Sequence, residues 1–114
     1  MSRRHLDLGA AGEDRAAQWY IEQGYTVVAR NWRCPEGELD LVLRKGSLLV
    51  FCEVKTRSSA RFGQPSEAVN RDKQRRLRML AALFLKVHRT GTTQRRFDVA
   101  SVLPGRIDVI TGAF

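Results

Sequence analysis

Cysteine is scarce in this chain. Cys34 and Cys52 are too few for a disulfide framework, and no His or Cys neighbours them at zinc spacing. A reducing cytoplasm is the simplest setting for two such thiols, and Cys52 reads as a small core residue. Long apolar runs are also missing: no window holds the ~18 consecutive apolar residues of a membrane span. The basic N-terminus has no apolar stretch behind it, so no secretory signal is expected. There is no internal repeat, linker or low-complexity segment. Acid is in short supply, with 12 Asp and Glu against 20 Lys and Arg and a net charge of +8. Such an imbalance favours a polyanionic partner through counterion release, nucleic acid before an anionic membrane surface.

What is present reads as a globular domain over residues 1–114, 43% hydrophobic and 28% charged. Two apolar runs with strand-type alternation, Gly37 to Arg44 and Leu48 to Arg57, organise it. Alternation puts Leu39, Leu41 and Leu43 on one face of the first run, and Glu38, Asp40 and Val42 on the other. In the second, Val50, Cys52 and Val54 oppose Phe51, Glu53, Lys55 and Arg57. Lys45-Gly46 suits a tight turn, which pairs Arg44 with Ser47 and sets Asp40 opposite Phe51 and diagonal to Glu53. Glu38, Asp40, Glu53 and Lys55 then share a face; a loop of odd length would separate the two sets of acids.

Charges alternating with a continuous apolar face have two readings. Glu53 and Lys55 form a solvated ion pair, or the acids hold a divalent metal. Mg²⁺ takes hard oxygen ligands, typically one or two carboxylates completed by phosphate oxygens. A lysine two residues along the strand can polarise an attacking water, which is the equipment for phosphodiester hydrolysis.

The rest of the chain supplies a frame. Met1 to His5 reads as a flexible end. Asp7 to Gln23 favours a helix, with Asp7 as N-cap and Gly24 ending it. Leu8, Ala11, Gly12, Ala16, Trp19, Tyr20 and Gln23 trace its inner face. Tyr25 to Arg33 reads as a strand, in which Trp32 packs rather than stacks on bases. The stretch 34–37 is a turn, and Ser58 to Pro65 a loop at the mouth of the proposed site, where Phe62 pins the loop or stacks on a nucleotide. Ser66 to Asn70 forms a short helical turn, and Asn70 caps a helix over Arg71 to His88. Its buried stripe is Leu77, Leu80, Ala81, Phe84, Val87 and His88. Arg71, Arg75 and Arg78 line another face, with Lys73 and Arg76 nearby, which reads either as a solvated face or as a phosphate-binding surface. Lys73 stands in the first turn, where the macrodipole disfavours a cation, which points it toward a partner. Arg95 to Leu103 is a strand, with Asp98 read as a structural hydrogen-bonding residue, and Arg106 to Ile110 a short edge strand. The order α-β-β-β-α-β-β suits a three-layer α/β domain, a mixed sheet flanked by helices.

Asp40, twelve residues, then Glu53-Val54-Lys55 resembles the active-site signature of the PD-(D/E)xK nuclease superfamily, with Leu39 in the proline position. The whole chain is similar to the YraN family, small bacterial proteins that resemble archaeal Holliday-junction resolvases. The matching segments include Gly12-Glu13, Arg30-Asn31-Trp32-Arg33, Gly37-Glu38-Leu39-Asp40-Leu41, Phe51 to Arg57, Arg61-Phe62-Gly63, Lys73 to Leu77 and Arg96 to Val99. The resemblance implies a restriction-endonuclease-like core and a Mg²⁺-dependent endonuclease, with Mn²⁺ able to substitute. It implies a substrate of DNA, branched or junction DNA included. It also implies a homodimer, since a four-way junction needs two symmetric cuts. Asp40 and Glu53 would be metal ligands and Lys55 the water-orienting residue. Glu13, from the first helix, or Glu38 would hold the metal's water shell or a second ion. Arg57, Arg61 and Lys73 would position the backbone. The alternatives are a non-catalytic nucleic-acid-binding protein on the same fold and an adaptor that binds a protein through an edge strand.

Overall fold

The computed structural model describes residues 3–57 and 69–114. Helix α1 (Arg3–Glu22) precedes strands β1 (Thr26–Cys34), β2 (Gly37–Lys45) and β3 (Leu48–Thr56). Helix α2 (Arg71–Val87) follows, then β4 (Gln94–Leu103) and β5 (Arg106–Ile110). The strands form one sheet in the order β1-β2-β3-β4-β5. All neighbours are antiparallel except β3 and β4, which run parallel because α2 carries the chain across between them. The expected α-β-β-β-α-β-β order and mixed sheet are therefore present, and β5 is a short edge. Among the described residues no helix is long and apolar enough to cross a membrane.

Each helix seals one face of the sheet. Under α1, Ala16, Ala17 and Tyr20 pack on Leu41, Leu43, Val50, Cys52 and Ala100. Under α2, Leu77, Leu80, Ala81 and Phe84 pack on Val42, Leu49, Phe51, Phe97 and Val99. Alternation in β3 sorts Val50 and Cys52 to one layer, and Leu49 and Phe51 to the other, as strand geometry requires. Leu39 departs from its expected partners Leu41 and Leu43 and joins the layer under α2. It lies beyond the final β2–β3 pair, Leu41 with Cys52, and opposite the stretch of β1 where Asn31 takes a left-handed φ of 50°. Across β1 Leu39 pairs with Trp32, and the two turn to the layer under α2 together.

The central hairpin closes one residue later than expected, which shifts each cross-strand partner by two. Lys45 pairs with Leu48, so Gly46 and Ser47 form the turn, with Gly46 at φ 60°. Arg44 accordingly faces Leu49, not Ser47. A displacement of two residues in the pairing preserves parity, so the side chains of the paired stretch from Leu41 to Cys52 keep their predicted faces.

α1 starts before Asp7, which lies inside the helix and does not cap it. No Gly or Pro interrupts Arg3 to Leu6, and Arg and Leu propagate a helix readily, so Arg3 to His5 are helical and not a loose end. Ala11 and Gln23 are exposed, while Gly12, Ala16, Ala17 and Tyr20 form the buried stripe. Gly24, at φ 92°, ends the helix with its N–H on the Ile21 carbonyl. α2 begins as expected: the Asn70 side chain accepts a 2.9 Å bond from the Lys73 N–H. Val87 and His88 fall outside its buried stripe, since the sheet's cover ends at Phe84. The His88 ring stacks on Phe84 at 4.4 Å. Trp32 packs edge-on against Phe84 at 5.4 Å, a core contact. The expected loop 58–65, with Arg61 and Phe62, and the turn at 66–68 lie outside the described residues.

Candidate functional site

Under the N-terminal half of α2 the sheet opens into a cleft of about 230 Å³, whose lining includes Glu38, Asp40, Glu53, Lys73 and Arg76. β2 and β3 bring the acids there. Since Leu41 faces Cys52, the pleat sets Asp40 opposite Glu53. One carboxylate oxygen of Asp40 accepts the Val54 N–H at 2.8 Å, so its side chain lies against β3. Asp40 and Glu53 thus occupy one face, the arrangement that the two-residue turn makes possible.

Glu53 is 8% exposed, and burying a carboxylate is costly unless it is paired. Two cations pair it. Lys73 Nζ lies 2.7 Å from Glu53 Oε1, and Lys55 Nζ 3.3 Å from the same oxygen. The expected Glu53–Lys55 pair exists, but as part of a three-residue cluster in which two half-buried lysines flank a buried carboxylate. It also accounts for a cation in the first turn of α2: the unfavourable helix dipole at Lys73 is offset by Glu53.

The cluster drives its members apart in proton affinity. Asp40 is pushed up to about 7 by burial and then by the Glu53 carboxylate; the Val54 N–H opposes this, and Glu13 and Glu38 add to it. Glu13 therefore lies within electrostatic reach of Asp40 from α1. Burial, followed by the neighbouring Lys73, lowers the Lys55 pKa from the usual lysine value, against the pull of Glu53. Burial also works against charge on Lys73, yet its bond to Glu53 outweighs this and its pKa is raised. Of two lysines on one carboxylate, Lys73 holds its proton more firmly and Lys55 releases its own more readily.

Glu38 stands at the cleft mouth, bonded to Arg33 at 3.0 Å. Among the described residues no three His, Cys, Asp or Glu side chains converge as a complete metal cage. Asp40 and Glu53 supply two hard oxygen donors. Of the expected phosphate-binding residues, Lys73 lines the cleft. Arg71 is exposed at the start of α2. Arg75 is exposed and bonded to Asp72 at 3.0 Å. Arg78 lies over the Phe97 and Phe114 rings. Arg57 leaves β3 two residues past Lys55, with its N–H on the Val102 carbonyl. Arg76, expected only near the basic face, lines the cleft. Helical spacing groups Lys73, Arg76, Leu77 and Leu80 on one stripe, but docking on the sheet sets which stripe faces the cleft.

Asp98 is structural. Fully buried on β4, it receives the Tyr20 hydroxyl at 2.6 Å, a two-pronged Arg96 guanidinium at 2.8 Å and the Gly112 N–H at 3.0 Å. The network fixes α1 and the C-terminal segment to the sheet.

The profile described as "Uncharacterised protein family UPF0102" matches residues 12–102, from the α1 glycine through β4. A UPF0102 protein of Beutenbergia cavernae is 56% identical over 87% of this chain and 84% of its own length. One of Frankia alni is 49% identical over the full length of both chains. One of Symbiobacterium thermophilum is 49% identical over 92% of this chain and 86% of its own. With matches of this extent, the chain belongs to the UPF0102 family, also called the YraN family.

Proposed function

We propose that this chain is a metal-dependent endonuclease hydrolysing DNA phosphodiesters, branched or junction DNA included. One observation carries the reading: Asp40, Glu53 and Lys55 meet on one face of the β2–β3 hairpin, with Lys73 brought to the same carboxylate. Mg²⁺ is usually bound through one or two carboxylates and completes its shell with phosphate oxygens and water, and two carboxylates in an open cleft fit that demand. Asp40 and Glu53 would hold Mg²⁺, or Mn²⁺ in its place. When bound, the ion supplies neutralisation of phosphate charge and acidification of a water.

The chain's own residues do the rest. Lys55 Nζ, with its lowered pKa, is suited to accept a proton from the attacking water and to stabilise charge at the phosphate. Lys73 Nζ keeps its proton and, with Arg76 beside it, gives the backbone a cationic seat. Glu13 and Glu38 orient water at the edges of the acid pair. Arg57 and the exposed Arg71, Arg75 and Arg78 would extend the positive field along a DNA strand, in keeping with a net charge of +8, and Arg61 would contact the backbone with them. Cys34 and Cys52 are free thiols, which suits a reducing cytoplasm.

The second reading is a non-catalytic DNA-binding protein in which the acids persist as a salt-bridge network. The closed Glu53 cluster is the observation in its favour. Calorimetric titration with Mg²⁺ in the presence of DNA separates the two. The nuclease reading expects saturable binding that Asp40→Asn weakens. No binding with DNA present favours the second.

A further inference from the structure

A second, larger cavity of about 370 Å³ lies where β3 and β4 both end. These strands run parallel, and the crevice beyond the carboxyl ends of parallel strands is the usual place for a ligand in an open α/β sheet. One side is α1, which approaches β3 so closely at Gly12 that an added Cβ would stand 1.8 Å from the Thr56 hydroxyl. The other side is the β4–β5 turn. Its walls are mostly apolar, with Val102, Leu103 and Pro104 among them, and three arginines border it: Arg15 from α1, Arg57 after β3 and Arg106 from β5. Asp108 pairs with Arg106 at 2.8 Å and leaves the border net cationic.

This chemistry selects its occupant. An apolar hollow with cationic edges suits a flat apolar group that carries an anion. Its volume falls in the ~300–1,000 Å³ range of small-ligand sites, far too small for a duplex. Nucleobases offer a π-face to apolar walls and to guanidinium planes, and their phosphates pair with arginine. The position adds to this. Arg57 is two residues from Lys55 and Gly12 adjoins Glu13, so the carboxyl end of β3 carries residues of both sites, the cavity on the α1 face of the sheet and the acid cleft on the α2 face.

We infer that this cavity receives one unpaired nucleotide of a DNA strand, its base against the apolar wall and its phosphate on the arginines. The inference rests on the DNA-directed reading of the cleft and narrows its substrate to DNA with an unpaired nucleotide at or near the cut. Extruding a base is least costly where pairing is already broken, as at a mismatch, a flap or a branch point. The cavity thereby gives the chain a means to prefer such DNA over a perfect duplex without reading sequence.

The test uses the full-length Lys55→Ala protein without divalent metal, so binding is measured apart from cleavage. The probes are a duplex with one unpaired 2-aminopurine and the same duplex fully paired. The unpaired probe should bind about tenfold more tightly and change its fluorescence on binding. Ala11→Trp, on the exposed surface of α1 beside the cavity, should fill the space, abolish the fluorescence change and bring the two affinities together. Arg15→Ala should weaken the unpaired probe at least threefold and leave the paired one unchanged. Ala11→Trp protein that keeps its melting temperature and its preference for the unpaired probe would overturn the inference, as would equal affinities in the parent. Failure of the nuclease reading looks different: the wild type would not cut DNA with Mg²⁺, while the binding preference and its loss in Ala11→Trp would remain.

Discussion

Replacing Asp40 with Asn should stabilise the fold, and should do so only above mildly acidic pH. The Asp40 carboxyl rises from 3.8 to about 7 in the folded chain because of burial and the Glu53 charge beside it. The folded state therefore binds this proton more tightly than the unfolded state. The group's stabilising contribution is complete below about pH 4 and is lost as pH rises toward 7. The rise spans about three pH units at roughly 1.4 kcal/mol each, an upper figure of about 4 kcal/mol. Asp40 keeps some contact with solvent, which reduces this to on the order of 2 kcal/mol. Asn retains an oxygen acceptor for the Val54 N–H, so the bond that ties the side chain to β3 survives. Urea unfolding at pH 5, 6.5 and 8 with chelator present should show the variant and wild type diverging with pH. At pH 8 the variant should be ahead by about 2 kcal/mol, or about 8 °C in melting temperature for a chain of this size. Asn equal to or below wild type at pH 8, or a difference that does not change with pH, would refute the reasoning.

Other substitutions probe the neighbours. Lys73→Met removes the closer cation on Glu53; metal-free stability should fall by about 1 kcal/mol while Mn²⁺ affinity by calorimetry rises about tenfold, since the ion no longer competes with an ammonium. Glu53→Gln should lose metal binding yet keep or gain DNA affinity by anisotropy, because two lysines are released toward phosphate; weaker DNA binding by a folded variant would count against it. Gly12→Val should cost about 3 kcal/mol or more in denaturant unfolding, because its Cβ collides with Thr56 and α1 must shift.

Much of this site is visible in the sequence because strand parity survives error. The hairpin closes at Gly46-Ser47 and not at Lys45-Gly46, yet a slip of two residues keeps Asp40 and Glu53 on one face. The Asn70 cap is equally local, a side chain bonding a backbone three residues on. Tertiary choices were harder to read. The basic residues of α2 include two stripes, and only docking on the sheet decides that Lys73 and Arg76, not Arg75 and Arg78, look into the cleft. Leu39 leaves its strand's pattern because Asn31, across β1, is kinked. The cavity of Arg15 and Arg106 joins distant parts of the chain through α1 and a β-turn, with no periodicity to announce it.

The most direct measurement is cleavage of end-labelled single strands, duplexes, flaps and four-way junctions with Mg²⁺ or Mn²⁺, with wild type beside Asp40→Ala and Lys55→Ala purified in parallel. The account predicts divalent-dependent cuts in at least one substrate class by the wild type and none by either variant. Cleavage that persists in both variants, or no cleavage of any substrate by a wild type that binds DNA, would contradict it.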